Sequence, residues 1–174
     1  MYLRRVEVQG FKSFPRKTVL EFEPGLTALV GPNGSGKSNI ADAIRWALGE
    51  QRSRTLRAQR TEDVIFGGTP KRSRSGMAEV TLVFDNSDGW LPLEYGEINV
   101  TRRAYRSGEN DYLLNGSAVR FRDLQDLLRT GAMGVNGQVV VGQGQIEAIL
   151  LLKPEDRRVL LEEAAGVSRH YAKR

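Results

Sequence analysis

The sequence predicts an α/β domain in which a mixed sheet surrounds a glycine-rich loop and its helix, with an antiparallel β layer beside them. Residues 26–30 are a short apolar run of the buried-strand type, and they lead directly into the glycine-rich segment 31–38. Apolar side chains then recur at helical spacing from Ile40 to Leu48. Later segments alternate between apolar and polar residues, which is typical of antiparallel strands.

The segment 31–38 is Gly-Pro-Asn-Gly-Ser-Gly-Lys-Ser and matches the phosphate-binding loop pattern G-x-x-x-x-G-K-[ST]. Its glycines allow the backbone to curl so that several N–H groups point at one anion. Lys37 would place a point charge on the β- and γ-phosphates, and the Ser38 hydroxyl would be one ligand of Mg²⁺. The expected ligands are therefore ATP and Mg²⁺.

Composition limits the possible classes of protein. The chain has 174 residues, 40% of them hydrophobic and 27% charged, so we expect a globular domain with its own core. It has no cysteine, which excludes disulfides and thiolate metal sites. Its net charge of +5 favours an acidic partner such as nucleic acid. The apolar runs are far shorter than the roughly 20 residues that span a bilayer, so we expect no membrane partner.

Other elements follow from periodicity and from turn residues. Asn115-Gly116 between alternating segments predicts a hairpin with a primed turn. Pro154 followed by two acidic residues predicts the start of a helix that runs to residue 174. The remaining predictions are strands at residues 1–9, 19–22, 78–84 and 98–105, a helix at 121–129, and an apolar strand at 139–141.

Hydrolysis would also require a carboxylate that holds the metal. Asp85 is a candidate because it ends the apolar run 80–84. However, the next residue is Asn86 rather than an acid, and the run lies among the predicted antiparallel strands. A strand that ends in a turn is the favoured interpretation, so the sequence predicts only half of a hydrolytic site.

Five segments together resemble the N-terminal head of bacterial SMC (structural maintenance of chromosomes) proteins. They are residues 11–14, the loop 31–39, residues 62–68, and residues 143–150 followed by 162–166. The loop sequence alone occurs in many ABC-type ATPases, whereas this combination in this order is specific. The resemblance covers nearly the whole chain.

This resemblance implies an ABC-type ATPase head whose chain leaves through a coiled coil to a hinge and returns to complete the head. Residues 1–152 would form the N-terminal lobe, and residues 153–174 would begin the coiled coil. The missing carboxylates would lie in the C-terminal half. Expected partners are that half, a second SMC head as a homodimer, double-stranded DNA and a kleisin-type subunit. ATP hydrolysis would serve chromosome condensation and segregation, in the cytoplasm at the nucleoid.

The resemblance also implies roles for single residues. Arg57 matches a catalytic arginine that reaches the phosphates near the engaged head interface. Gln143 matches a glutamine that reaches the metal, with Gln145 as the alternative, and Ser38 matches another metal ligand. Lys12 could border the nucleotide base or be a solvated cation at a strand end. The expected ATP-binding residues are Lys12, Ser13, Pro32, Asn33, Gly34, Ser35, Gly36, Lys37, Ser38 and Asn39.

Three arginines, Arg60, Arg120 and Arg122, resemble DNA-contacting positions on the top face of SMC heads, with a solvated surface as the alternative. Other functions stay open at this point. They are a coiled-coil DNA-repair ATPase of the same superfamily, a stand-alone P-loop kinase acting on a small molecule through Asp85, and a nucleic-acid-binding module without catalysis.

Overall fold

The computed structural model describes residues 1–52, 55–58, 61–130, 152–156 and 158. The strands in this part of the chain are β1 (Tyr2–Gln9), β2 (Thr18–Glu21), β3 (Met77–Asp85), β4 (Glu97–Tyr105), β5 (Asn110–Leu114) and β6 (Ser117–Ala118). They form one sheet of order β2-β1-β3-β4-β5-β6, and neighbouring strands are antiparallel. The helices are α1 (Lys37–Ala47), α2 (Phe121–Thr130) and the 3-10 helix Thr61–Val64. The predicted α/β class is confirmed.

The core lies on one face of the sheet, where helix α1 packs. Alternate residues of β1, β3 and β4 are buried, as the period of two predicts. On α1, Ala43, Trp46 and Ala47 are buried against this face. The Trp46 ring also lies 5.3 Å from the ring of Phe11, which follows β1. The phosphate-binding helix is therefore fixed to the sheet along its length.

The predicted hairpin is present between β5 and β6. Asn115 has φ 48° and Gly116 has φ 82°, so both turn residues are left-handed, as a type I′ turn requires. The side-chain oxygen of Asn115 accepts a hydrogen bond from the backbone N–H of Asn99 on β4, at 2.7 Å. The turn thereby fixes the edge of the sheet on which α2 packs.

The predicted strand at residues 26–30 is wrong. These residues are irregular, and they are exposed in spite of their apolar character; Leu26 is 100% and Val30 is 89% exposed. A strand requires partners for its N–H and C=O groups, and none of the strands in the described ranges pairs with this segment. The local pattern favoured a strand, but the described residues include no neighbouring strand to complete it.

Some predicted elements fall partly or wholly outside the described residues. Pro154, Glu155 and Asp156 are helical, in agreement with the predicted helix start. The predicted strand at 139–141 and the rest of the C-terminal helix, residues 159–174, lie outside the described ranges. Within those ranges, no helix is both long enough and apolar enough to cross a membrane.

Candidate nucleotide-binding site

The glycine-rich loop leads into α1 as its motif predicts. Gly36 caps the helix with φ 96°, a left-handed conformation that glycine adopts without strain, and α1 begins at Lys37. The Nζ atom of Lys37 donates to the carbonyl oxygens of Gly31 and Pro32, at 2.6 Å each. The ammonium group therefore lies over the loop. A cation and a helix N-terminus together fit the phosphates of a nucleotide.

The segment that follows β1 packs against this loop. The side-chain nitrogen of Asn39 donates to the Ser13 hydroxyl at 2.9 Å. A Cβ atom at Gly36 would lie 3.0 Å from the same hydroxyl oxygen, a tight contact, and the φ of 96° would strain any other residue there. The structure thus brings Lys12 and Ser13 beside the loop. Both were assigned to the nucleotide from sequence.

A buried carboxylate on α1 holds two cations from other segments. Asp42 is only 2% exposed, and its Oδ2 atom accepts from Lys12 Nζ at 2.5 Å and from Arg57 Nε at 3.1 Å. The Lys12 side chain is 11% exposed, so the alternative that it is a solvated cation is wrong. Sequence reasoning missed Asp42. The available pattern was an acidic residue among the apolar positions of α1, four residues after Ser38.

A pocket of about 760 Å³ opens beside this cluster. Lys12, Asn39 and Arg57 line it, and Glu62, Asp63 and Arg106 are among the residues that complete the wall. Its volume is in the range of small-molecule and cofactor sites, roughly 300–1,000 Å³. The pocket reaches α1 at Asn39, whereas residues 31–38 of the glycine-rich loop do not line it.

A buried arginine connects the C-terminal end of α1 to the sheet. Arg102 of β4 donates to the carbonyl oxygens of Trp46 and Glu50, at 2.9 and 3.0 Å. Its guanidinium lies between two rings, 4.5 Å from the centroid of Trp46 and 5.1 Å from that of Tyr112. Burial lowers the pKa of Arg102, although Tyr112 and Glu50 oppose the shift. Arg102 thus adds a second donor to the Trp46 carbonyl, which also accepts from the Gly49 N–H, and ties the Glu50 carbonyl beyond the helix end to the sheet.

Two of the three predicted DNA-contacting arginines flank the start of α2. Arg120 and Arg122 are exposed, and neither has an ion pair among the residues that the structure describes. Phe121 between them packs on Tyr112, with ring centroids 4.8 Å apart. The aromatic contact fixes the helix start while both guanidinium groups face solvent. Both arginines are therefore exposed at the start of α2.

Several predicted residues cannot be placed. Gln143, its alternative Gln145, and Arg60 lie outside the described residues. In the described part of the chain, no three His, Cys, Asp or Glu side chains lie close enough to hold a metal ion. Ser38 is exposed on the first turn of α1.

Asp85 lies far from the loop. It pairs in register with Tyr2 at the start of β1, whereas Lys12 follows the other end of that strand. Seven residues separate Tyr2 from Gln9, which is about 23 Å at roughly 3.3 Å per residue. The Asp85 carboxylate accepts from the hydroxyl and N–H groups of Ser87, and these hydrogen bonds lower its pKa. This contact supports the interpretation of a strand that ends in a turn.

Comparison with known proteins gives close relatives over nearly the whole chain. It is 54% identical over 170 residues to the chromosome partition protein Smc of Mycolicibacterium paratuberculosis. The match covers 98% of this chain but only 14% of that relative, so the chain spans about one seventh of the relative's length.

Solved structures agree with this similarity. A structure described as "ATP-driven dimerization and DNA stimulated activation of SMC ATPases" matches with a TM-score of 0.84 and 36% identity, over 94% of this chain and 99% of the other. The Smc head domain of Pyrococcus furiosus, solved with an extended coiled coil and the C-terminal domain of ScpA, matches with a TM-score of 0.87 and 36% identity. That match covers 99% of this chain and 44% of the other. Residues 2–150 match the RecF/RecN/SMC N terminal domain, and the chain belongs to that family.

Proposed function

We propose that this chain is the N-terminal ATP-binding lobe of an SMC-type ATPase head, in which two heads engage around ATP and hydrolysis is coupled to DNA binding. The observation that carries the proposal is the geometry around the loop. Lys37 lies over the loop, and two further cations, Lys12 and Arg57, lie at its side. Three positive side chains beside a helix N-terminus suit a triphosphate. The cellular role would be chromosome condensation and segregation at the nucleoid, in the cytoplasm.

Each proposed role follows from position. Residues 32–39 would hold the phosphates, and Ser13 with Lys12 would border the nucleotide. Ser38 and Gln143 would hold Mg²⁺, which neutralises charge on the phosphates when it is bound. Arg57 is half-exposed, so its guanidinium can reach phosphate oxygens while it stays bonded to α1. We assign Arg57 the catalytic role.

The proposed domain division is an N-terminal lobe at residues 1–152 and a coiled-coil root at 153–174. The exposed apolar segment 26–30 supports the proposal that a partner covers it, because its burial would remove apolar surface from water. That partner is proposed to be the C-terminal half of the same head. The head structure with ScpA supports a kleisin-type subunit as a further partner.

Completing the head tests the proposal directly. We expect the 174-residue chain alone to hydrolyse ATP at least about a hundredfold more slowly than the same chain co-purified with its C-terminal half, because the groups that activate water are supplied by that half and by a second head. Release of inorganic phosphate measures both rates, and the C-terminal half alone is the control. Full turnover by the isolated chain would contradict the proposal.

Arg120 and Arg122, with Arg60, are proposed to contact the DNA backbone. Replacing Arg120 and Arg122 with alanine is expected to weaken duplex binding by the complete head and to reduce the slope of log affinity against log salt by about 2. Fluorescence anisotropy at several salt concentrations measures both quantities. Arg129→Ala is the matched control, since Arg129 is an exposed arginine at the other end of α2. An unchanged slope in the double variant would mean that Arg120 and Arg122 do not contact DNA.

The alternatives are separable by other observations. The kinase hypothesis requires Asp85 near the phosphates, and the distance along β1 disfavours it. A DNA-repair ATPase of the same superfamily would have the same nucleotide site. The region between the two head halves distinguishes such a repair ATPase from an SMC protein. A zinc-binding Cys-x-x-Cys hook there would favour repair, and a globular hinge would favour the SMC function.

A further inference from the structure

We propose that Asp42 is a positioning residue of the ATPase site, whose buried carboxylate holds Lys12 and Arg57 as a pair facing the nucleotide pocket. The inference rests on the proposed function. It adds to that function a residue that touches neither nucleotide nor metal but determines where the proposed catalytic arginine points.

The contacts converge on one oxygen atom. Asp42 Oδ2 accepts from the Lys12 ammonium and from two nitrogens of Arg57, Nε at 3.1 Å and Nη2 at 2.5 Å. Lys12 makes a second bond, to the carbonyl oxygen of Leu56, the residue before Arg57. Nη2 of Arg57 also lies 3.4 Å from the side-chain oxygen of Asn39. Both cations are therefore held by α1 and by each other's segments.

The backbone at both cations is unusual. Lys12 has φ 45° and Arg57 has φ 50°, the left-handed region that residues other than glycine rarely adopt. Such conformations cost on the order of 1–3 kcal/mol each and persist where surrounding contacts impose them. Lys12 lies in the tight turn that the Phe14 N–H closes on the Phe11 carbonyl oxygen, and Arg57 lies in the turn at residues 55–57. These two turns, far apart in the chain, present the side chains that meet at Asp42.

The charges around Asp42 are not balanced. Arg45 lies 3.9 Å from the other carboxylate oxygen, so three cations surround one anion and two positive charges remain in excess. Asp42 is buried, whereas 53% of the Arg57 side chain is exposed, and Arg57 lines the pocket. Glu62 and Asp63 line the same pocket, so its wall also carries negative charge. The side of the wall that Lys12 and Arg57 form is suited to a polyphosphate.

The test is a double-mutant cycle in the complete head. Asp42→Asn keeps the side-chain shape and removes the charge, and we expect kcat for ATP to fall about tenfold while KM changes less than threefold. A displaced guanidinium affects the transition state more than ground-state binding. The same substitution in an Arg57→Ala background is expected to change kcat less than twofold, because Asp42 acts through Arg57. Asp126→Asn, an exposed aspartate on α2, is the matched control and leaves kcat unchanged.

The cycle separates a positioning role from a structural one. If Asp42→Asn lowers kcat by the same factor with and without Arg57, or leaves kcat of the wild-type background intact, the inference is wrong. If Asp42→Asn does not fold, the cycle is repeated with Lys12→Met in all four proteins, which removes one cation together with the anion. If the wild-type head fails to hydrolyse ATP, or Lys37→Ala retains full turnover, the proposed function fails instead, and that outcome is distinct from any result at Asp42.

Discussion

Replacing Lys37 with alanine is expected to weaken ATP binding by the complete head by about one to two orders of magnitude. A charge-assisted hydrogen bond to phosphate contributes roughly 1.5–3 kcal/mol, and Lys37 is positioned over the loop where the phosphates would lie. Because its bonds to Gly31 and Pro32 are exposed, the melting temperature of the nucleotide-free protein should change little. Calorimetric titration with ATP measures the affinity.

The matched control for this prediction is Lys17→Ala. The Lys17 side chain is 58% exposed and pairs with Glu7 of β1, so its loss should leave ATP affinity unchanged. If the Lys37→Ala protein binds and hydrolyses ATP as well as the wild type, the loop is not the nucleotide-binding site. If DNA binding survives in Lys37→Ala and the wild-type head itself hydrolyses no ATP, a nucleic-acid-binding module without catalysis is favoured instead.

Replacing Trp46 with alanine is expected to destabilise the fold by roughly 3–5 kcal/mol. The side chain is 1% exposed, packs on Phe11, and forms one face of the slot that holds Arg102. Its loss leaves a cavity and takes away the ring beneath a buried guanidinium. Against a total stability of about 5–15 kcal/mol, an effect of this size lowers the urea midpoint steeply.

The chain contains its own control for this prediction. The second tryptophan, Trp90, is 43% exposed, so Trp90→Ala should cost less than about 1 kcal/mol. Circular dichroism in urea compares the two variants without depending on tryptophan fluorescence. Equal destabilisation by both substitutions would mean that the core is not organised around α1.

Features that depend on neighbouring residues were predictable from the sequence. The start of α1 at Lys37, the alternation in β3 and β4, and the Asn115-Gly116 turn follow from local periodicity and from the conformational preferences of glycine and asparagine. The inward position of Arg102 also follows from the alternation along β4, where it lies between Val100 and Ala104. The alternation does not indicate which carbonyl groups the side chain meets.

Features that require distant segments to meet were not predictable. Lys12, Asp42 and Arg57 are separated by 30 and 15 residues, and two of them adopt backbone conformations that their residue types disfavour. The strand predicted at 26–30 failed for the opposite reason, because its distant partner is missing from the described residues. Its local pattern was sufficient, but a strand is a property of a pair, and the described residues supply no partner.

The exposed segment 26–30 also has a consequence for the chain during synthesis and storage. Its sequence, Leu-Thr-Ala-Leu-Val, has no charge and no proline, and β-branched and aliphatic residues of this kind readily form intermolecular strands. Two copies of the isolated polypeptide can therefore pair through it, which makes concentration-dependent aggregation the main hazard for this fragment. In a longer protein, the same segment would stay open until its partner is made, and this interval is where a chaperone is most needed.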